Sequence, residues 1–294
     1  MILVVGGTGR LGRELVPLLL AAGHRVRVLT RDPSRARGTV DDRAELAPGD
    51  VGDPRSLEEA MRDTHAVVSA VTGFGPGGGG PRVIDYQGNL HLIRAAEEAG
   101  AAHFVLLSMQ GAAPDHPLEL LRMKHLAEEA LRASRLDWTI LRPTVFMELW
   151  AGIVGEAIVK TGKTTVFGRG DNPINFVSVR DLARFVELAL RDSRLRRLVI
   201  DIGGPENLTL NQVVRAIQDA SGRKAAAGHI PILVMRLSSL LLRPFKADLA
   251  RMIRAGVVMD TTDMTFDAAE LRRGYPEIEL THMTDVVRRE FAVG

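Results

Sequence analysis

Gly6-Gly7-Thr8-Gly9-Arg10-Leu11-Gly12 follows directly on an apolar run, Met1–Val5. It opens a stretch, Arg10–Ala22, with Leu11, Leu15, Leu18 and Leu19 at helical spacing. Two patterns overlap in it. Gly7, Gly9 and Gly12 fit G-x-G-x-x-G, while Gly6, Gly9 and Gly12 fit G-x-x-G-x-x-G. Both make the same demands. A strand turns sharply into a helix, the backbone comes close to a ligand, and the helix packs tightly on the strand; each demand excludes a Cβ. The start of the helix offers unpaired N–H groups and a partial positive charge, which suits a pyrophosphate. In this strand–turn–helix setting the stretch predicts a dinucleotide site.

Working outward, short apolar runs alternate with helical stretches. Strands are expected at Arg25–Thr30, Glu45–Pro48, His65–Val71, His103–Ser108 and Trp138–Leu141. Helices are expected at Pro54–Arg62, Pro81–Gly100 and Leu118–Ser134. This alternation predicts an α/β fold, a Rossmann-type doubly wound parallel sheet. After Arg142-Pro143 the rhythm loosens. Short strands are expected at Thr165–Phe167, Asn175–Val177 and Leu198–Ile202, and helices at Val179–Leu190, Leu210–Ala220, Pro231–Ala255, Asp267–Arg273 and Thr284–Phe291. The expected organisation is a dinucleotide-binding core over 1–143 and a smaller mixed substrate-binding lobe over 144–294. A segment at about 174–202 is expected to return to the core sheet.

Composition removes several functions. Without cysteine there is no disulfide, zinc–thiolate site or thiol nucleophile. A net charge of +2 and 4% aromatics do not suit a nucleic-acid surface. Histidines do not pair at metal-ligand spacing, so no metal is expected. Gly162-Lys163-Thr164 lacks the first P-loop glycine, since Ala157 stands there, and no G-x-S-x-G elbow occurs. The run Ile230–Leu242 is interrupted by Arg236 and too short to span a bilayer; it reads as a roof over the substrate pocket or a partner interface, with core burial the commoner explanation. With no leader ahead of the first strand, the expectation is a cytoplasmic protein, monomer or homodimer, with no membrane partner.

The residues after the second strand report on the ribose of the dinucleotide. NAD sites place an acid about 20 residues beyond the glycine turn. Here Thr30 and Arg31 take that place, with Arg35 and Arg37 close behind. A guanidinium suits a 2′-phosphate in charge and in bidentate geometry, so NADP(H) is preferred over NAD(H). Asp32 comes one step late, precedes Pro33, and reads as the cap of the next turn. Asp53 reads as the cap of the helix at Pro54. For Asp50, capping and ligand contact both stay open.

With these residues in hand, the sequence resembles the NmrA-like branch of the short-chain dehydrogenase/reductase superfamily over nearly its whole length. The likeness rests on Gly6–Gly12, Val28–Pro33, Gly49–Asp53, Leu107-Ser108, Arg122–Lys124, Thr139–Thr144, Phe146–Glu148, Asn175–Asp181 and Gly203–Glu206. It implies that Gly6, Gly7, Thr8, Gly9, Arg10, Leu11 and Gly12 hold the pyrophosphate and that Asp50 and Val51 meet the adenine. It also implies that Val71, Thr72 and Lys124 border the nicotinamide ribose, with Pro143 and Phe146 at the nicotinamide. Ordinary members carry a Tyr-x-x-x-Lys pair. Counting back from Lys124 puts Leu120, which carries no proton, at the tyrosine.

Lys124 and Ser108 are therefore the catalytic candidates, the lysine as general acid. Ser108 reads equally as substrate polariser or as a strand-end cap. His116 and His125 are further proton carriers. Phe74, Phe146, Trp150 and Phe167 are candidates to line an apolar substrate pocket, and Gly73–Gly80 reads as a flap or a surface loop. The leading expectation is an NADPH-dependent oxidoreductase acting on a small apolar carbonyl, enone or quinone-like molecule. A non-catalytic NADP(H)-binding sensor or assembly factor is the second, and a non-redox isomerase or cyclase the third.

Overall fold

The structure, a computed structural model, describes residues 1–75 and 77–292. Pro76, inside the glycine-rich segment read above as a flap or loop, lies outside the described residues. The strands are β1 Ile2–Val5, β2 Val26–Thr30, β3 Glu45–Pro48, β4 Ala66–Ser69, β5 His103–Leu107, β6 Asp137–Pro143, β7 Val145–Phe146, β8 Lys163–Phe167, β9 Ile174–Val177, β10 Leu198–Ile202, β11 Asn207–Leu208 and β12 Ala226–Ile230. The helices are α1 Arg10–Ala21, α2 Pro33–Ala36, α3 Leu57–Met61, α4 Asn89–Glu98, α5 Glu119–Arg132, α6 Met147–Thr161, α7 Val179–Arg191, α8 Leu210–Ser221, α9 Ile232–Leu242, α10 Ala247–Thr261, α11 Ala269–Gly274 and α12 Met283–Phe291. The chain divides into two compact units, Met1–Pro143 with Leu182–Asp201, and Thr144–Asp181 with Ile202–Gly294.

The first unit carries a seven-stranded sheet in the order β10-β6-β5-β4-β1-β2-β3. From β6 to β3 every neighbouring pair is parallel. This is a doubly wound Rossmann-type sheet. Strands β1, β4 and β5 are buried along their whole length, as a sheet covered on both faces requires. Leu3, Val67, Phe104, Leu106 and Ile140 belong to its core. The strand order reverses between β1 and β4, and ligands bind beyond the strand ends at such a switch point.

The second unit holds a three-stranded sheet, β11-β9-β7, and a parallel pair, β12-β8. Asn175 ties its loops together. Its Oδ1 accepts from Gly204 N at 2.8 Å and Thr144 Oγ1 at 3.0 Å, and its Nδ2 donates to the carbonyls of Gly204 and Glu206. Asp181 accepts from the backbone N and hydroxyl of Thr281. Glu148 accepts from Ser178 Oγ and Val179 N. Polar residues in the stretches that carry the family likeness thus serve to fasten backbone in this unit.

Two expected helices differ from the structure. Pro81–Gly100 opens as a π-helix, Arg82–Gly88, before α4. Pro231–Ala255 is two helices, α9 and α10, broken at 243–246: Pro244 has no N–H to continue the helical ladder, and Lys246 leaves helical geometry at φ −139° and ψ 67°.

His103 begins β5 and is 1% exposed. Thr139 Oγ1 gives its proton to Leu195 O, so it accepts from His103 Nε2 at 3.0 Å. Nδ1 is buried without a partner. Burial, with Arg196 adding to it, pushes the imidazole down from 6.5 to about 4. Unfolding therefore takes up a proton as the pH falls between these values, and stability is lost in that window. The unfolding free energy should drop by on the order of 3 kcal/mol more in wild type than in His103→Gln on going from pH 6.5 to pH 4. Urea titrations at several pH values give the difference, and parallel profiles would contradict it.

Candidate functional site

The glycine turn lies at the switch point, and its glycines divide by role. Gly6 has φ +94°, and a Cβ there would stand 2.7 Å from Ala70 O beyond β4. A Cβ on Gly7 would meet Val28 Cγ1 at 2.6 Å, and one on Gly12 would meet the Gly7 backbone at 2.4 Å. Packing alone explains these three. Gly9 is different: its Cβ would meet only Gly6 O, at 3.2 Å, with open space otherwise.

Gly9 is also the N-cap of α1, and no side chain caps that end. The first helical bond runs from Arg13 N to Gly9 O, which leaves the N–H groups of Arg10, Leu11 and Gly12 without helical acceptors. The first turn carries no acid. Free donors, a positive helix end and a glycine with open space beside it fit a pyrophosphate.

At the end of β2, Arg31, Arg35 and Arg37 are exposed. Asp32 caps α2: its Oδ1 accepts from Arg35 N at 3.0 Å and Ser34 Oγ at 2.5 Å, and these bonds hold the carboxyl below its usual range. Asp53 accepts from Arg55 N, and Asp50 from Gly52 N at 2.8 Å, so both brace the turn before α3. Val51 is buried, and its carbonyl is bonded to His91 Nδ1.

Lys124, on α5, is 5% exposed. Its Nζ donates to Val71 O and Leu107 O, both at 2.9 Å, at the ends of β4 and β5. It lies 3.0 Å from Asp85 Oδ1 on the π-helix. Asp85 is fully buried, and its Oδ2 accepts from Gly73 N at 2.8 Å. The fold thus brings Lys124 and Val71 together, with exposed Thr72 next in the chain. Asp85 was not anticipated from sequence; its one signal was a polar pair, Asp85 and Asn89, spaced i,i+4 in line with the apolar Leu92 and Ala96 on one helix face.

Ser108 is neither free nor a strand cap. Its Oγ donates to Glu128 Oε1 at 2.5 Å. Glu128, fully buried on α5, also takes two bonds from Arg142, at 2.8 and 2.6 Å, and these raise the guanidinium above its ordinary value. Leu120 is 9% exposed. His116 Nδ1 accepts from Leu118 N at 3.1 Å, so this ring closes the entry to α5, and partial burial lowers its pKa. Phe74 is half-buried, and Pro143 is buried at the end of β6.

In the second unit, half-buried Phe146 precedes α6. Trp150 and Phe167 meet edge to face, with ring centroids 6.3 Å apart. Ile174, Leu210 and Met259 close round the pair, and the hollow they leave has no room for a water. Among the described residues no cluster of metal-ligating side chains occurs.

Comparison with known proteins gives one family. A family model described as NAD(P)H-binding matches residues 6–193. The photosystem II assembly factor Ycf39 of Synechocystis is 30% identical over 247 residues, 83% of this chain and 75% of that one. The NAD(P)H azoreductase of Xenophilus azovorans is 33% identical over 224 residues, 76% of this chain and 74% of that one. Among solved structures, the NADPH-dependent quinone oxidoreductase of Escherichia coli complexed with NADPH has the same fold. Its TM-score is 0.79 at 20% identity, over 99% of this chain and 100% of that chain.

The division among the glycines can be measured. Gly9→Ala should keep the wild-type melting temperature within a few degrees while weakening NADPH at least about tenfold. Gly12→Ala should lower stability by roughly 1–3 kcal/mol through its clash with Gly7. Calorimetric titration and thermal melts separate the two effects; equal losses of stability would contradict the division.

Proposed function

The chain belongs to the NAD(P)H-binding family, and from that premise we propose that it is an NADPH-dependent oxidoreductase for a small apolar carbonyl, enone or quinone-like substrate. The observation that carries the cofactor preference is at the end of β2. Arg31 is exposed there, and the nearest acid, Asp32, spends its carboxylate on Ser34 and Arg35 N. A 2′-phosphate meets a cation at this place, whereas a 2′-hydroxyl finds no free carboxylate. The azoreductase and quinone oxidoreductase relatives support the reaction class.

Bound NADPH supplies the hydride. The first turn of α1 would hold the pyrophosphate, and Asp50 and Val51 would border the adenine. Val71, Thr72 and Lys124 would border the nicotinamide ribose, with Pro143 nearby. Lys124 Nζ gives the proton that completes the reduction, and Asp85 with the carbonyls of Val71 and Leu107 fixes that ammonium at the strand ends.

A second reading, a cofactor-binding assembly factor or sensor without turnover, is favoured by two observations. Buried Leu120 stands at the proton donor's place, and the Ser108 hydroxyl is spent on Glu128. The Synechocystis relative is a photosystem II assembly factor.

Two measurements decide. Arg31→Asp should weaken NADPH by roughly 10- to 100-fold and leave NADH nearly unchanged; equal effects on both would remove Arg31 from the ribose site. Against a panel of quinones, enones and azo dyes, the wild type should consume NADPH and Lys124→Met should not. Tight NADPH binding with no consumption across the panel would favour the second reading.

A further inference from the structure

An ordinary surface helix turns its apolar stripe inward. Helix α9 does the reverse. Of its residues only Met235 is buried, seated over Gly256 of α10. Leu233, Leu237, Leu240 and Leu241, spaced i, i+4, i+7 and i+8, share one face and are 54–70% exposed. Phe245, just past the helix, is 85% exposed. Leucines that would fill a core in most proteins here face solvent as one patch.

The charged side chains of the segment that carries the patch have a single sign, and Asp248, the next acid along the chain, is paired with Arg251. From Ala220 to Ala247 the sequence contains no Asp or Glu but carries Arg223, Lys224, Arg236, Arg243 and Lys246. Arg236 and Arg243, both exposed, lie on either side of Leu240 at i−4 and i+3, along the edge of the leucine face. A long basic side chain at such an edge keeps its stem on apolar surface while its head reaches outward to phosphate.

We infer that the outward face of α9 seats the protein on an anionic phospholipid surface. Leu233, Leu237, Leu240, Leu241 and Phe245 enter the acyl boundary, and Arg236, Arg243 and Lys246 meet the headgroup phosphates. The helix lies in the interface and does not cross it. At 11 residues it is about 16 Å long, and no described helix is long and apolar enough to span. A second copy of the chain is a poorer occupant. Antiparallel two-fold pairing of this face gathers the Arg236 and Arg243 side chains of both copies at one seam, and the segment offers no carboxylate to neutralise them. The expectation of no membrane partner weighed a leader and a spanning segment; an interfacial helix is neither.

Flotation of the full chain with vesicles tests the assignment, comparing phosphatidylcholine alone with phosphatidylcholine containing one-third phosphatidylglycerol. The protein should float with the anionic vesicles at least about tenfold more than with neutral ones, and added salt should weaken this. Leu237→Ser with Leu241→Ser should abolish flotation. Arg236→Gln with Arg243→Gln should lower it by about tenfold and blunt its salt dependence. All these side chains are exposed, so both double variants should melt as the wild type does. Equal flotation with both vesicles, or none with either, would overturn the proposal. So would a concentration-dependent dimer in sedimentation that the serine variant dissolves while vesicles bind nothing; that result would assign the face to a second copy.

Discussion

A Cβ at Gly12 would come within 2.4 Å of the Gly7 backbone, and one at Gly7 within 2.6 Å of Val28, so α1 can leave β1 only through a turn free of side chains. That close seating fixes where the helix begins. It sets the uncapped N–H groups of Arg10, Leu11 and Gly12 beyond the ends of β1 and β4, where the strand order reverses. An uncapped helix start is ordinarily a liability, since each unpaired donor needs an acceptor. Here the missing cap, the absent first-turn acid and the open space at Gly9 agree on an anionic ligand.

The strand ends beside this turn hold two buried carboxylates with different work. Asp85 anchors Lys124 and the Gly73 backbone, and so orders the residues after β4. Glu128 gathers Ser108 and Arg142, so it binds β6 and the end of β5 to α5. The pairings explain why a leucine can stand at position 120 without disturbing the lysine. Lys124 is positioned by backbone carbonyls and an acid, not by a neighbouring tyrosine.

The glycine turn, the alternation of strands and helices, and the caps at Asp32 and Asp53 were legible in the sequence because they are local. Spacing and residue type within a few positions decide them. The Lys124–Asp85 and Glu128–Arg142 pairs were not legible, because each joins residues from separate elements and no periodicity links them. The leucines of Ile230–Leu242 misled for a related reason. An apolar run reports a wish for burial, but a neighbouring element must arrive to grant it, and α10 covers only the Met235 side. The break near Pro244 was legible in principle, since proline has no N–H with which to continue a helix.

Every role proposed for these residues depends on the first turn of α1 holding a dinucleotide. Amide chemical shifts recorded during an NADPH titration test this most directly. The resonances of Gly9, Arg10, Leu11 and Gly12 should shift together and saturate with the affinity measured for the whole protein, with Arg31 following. Tight NADPH binding that leaves these amides in place and moves others would contradict it.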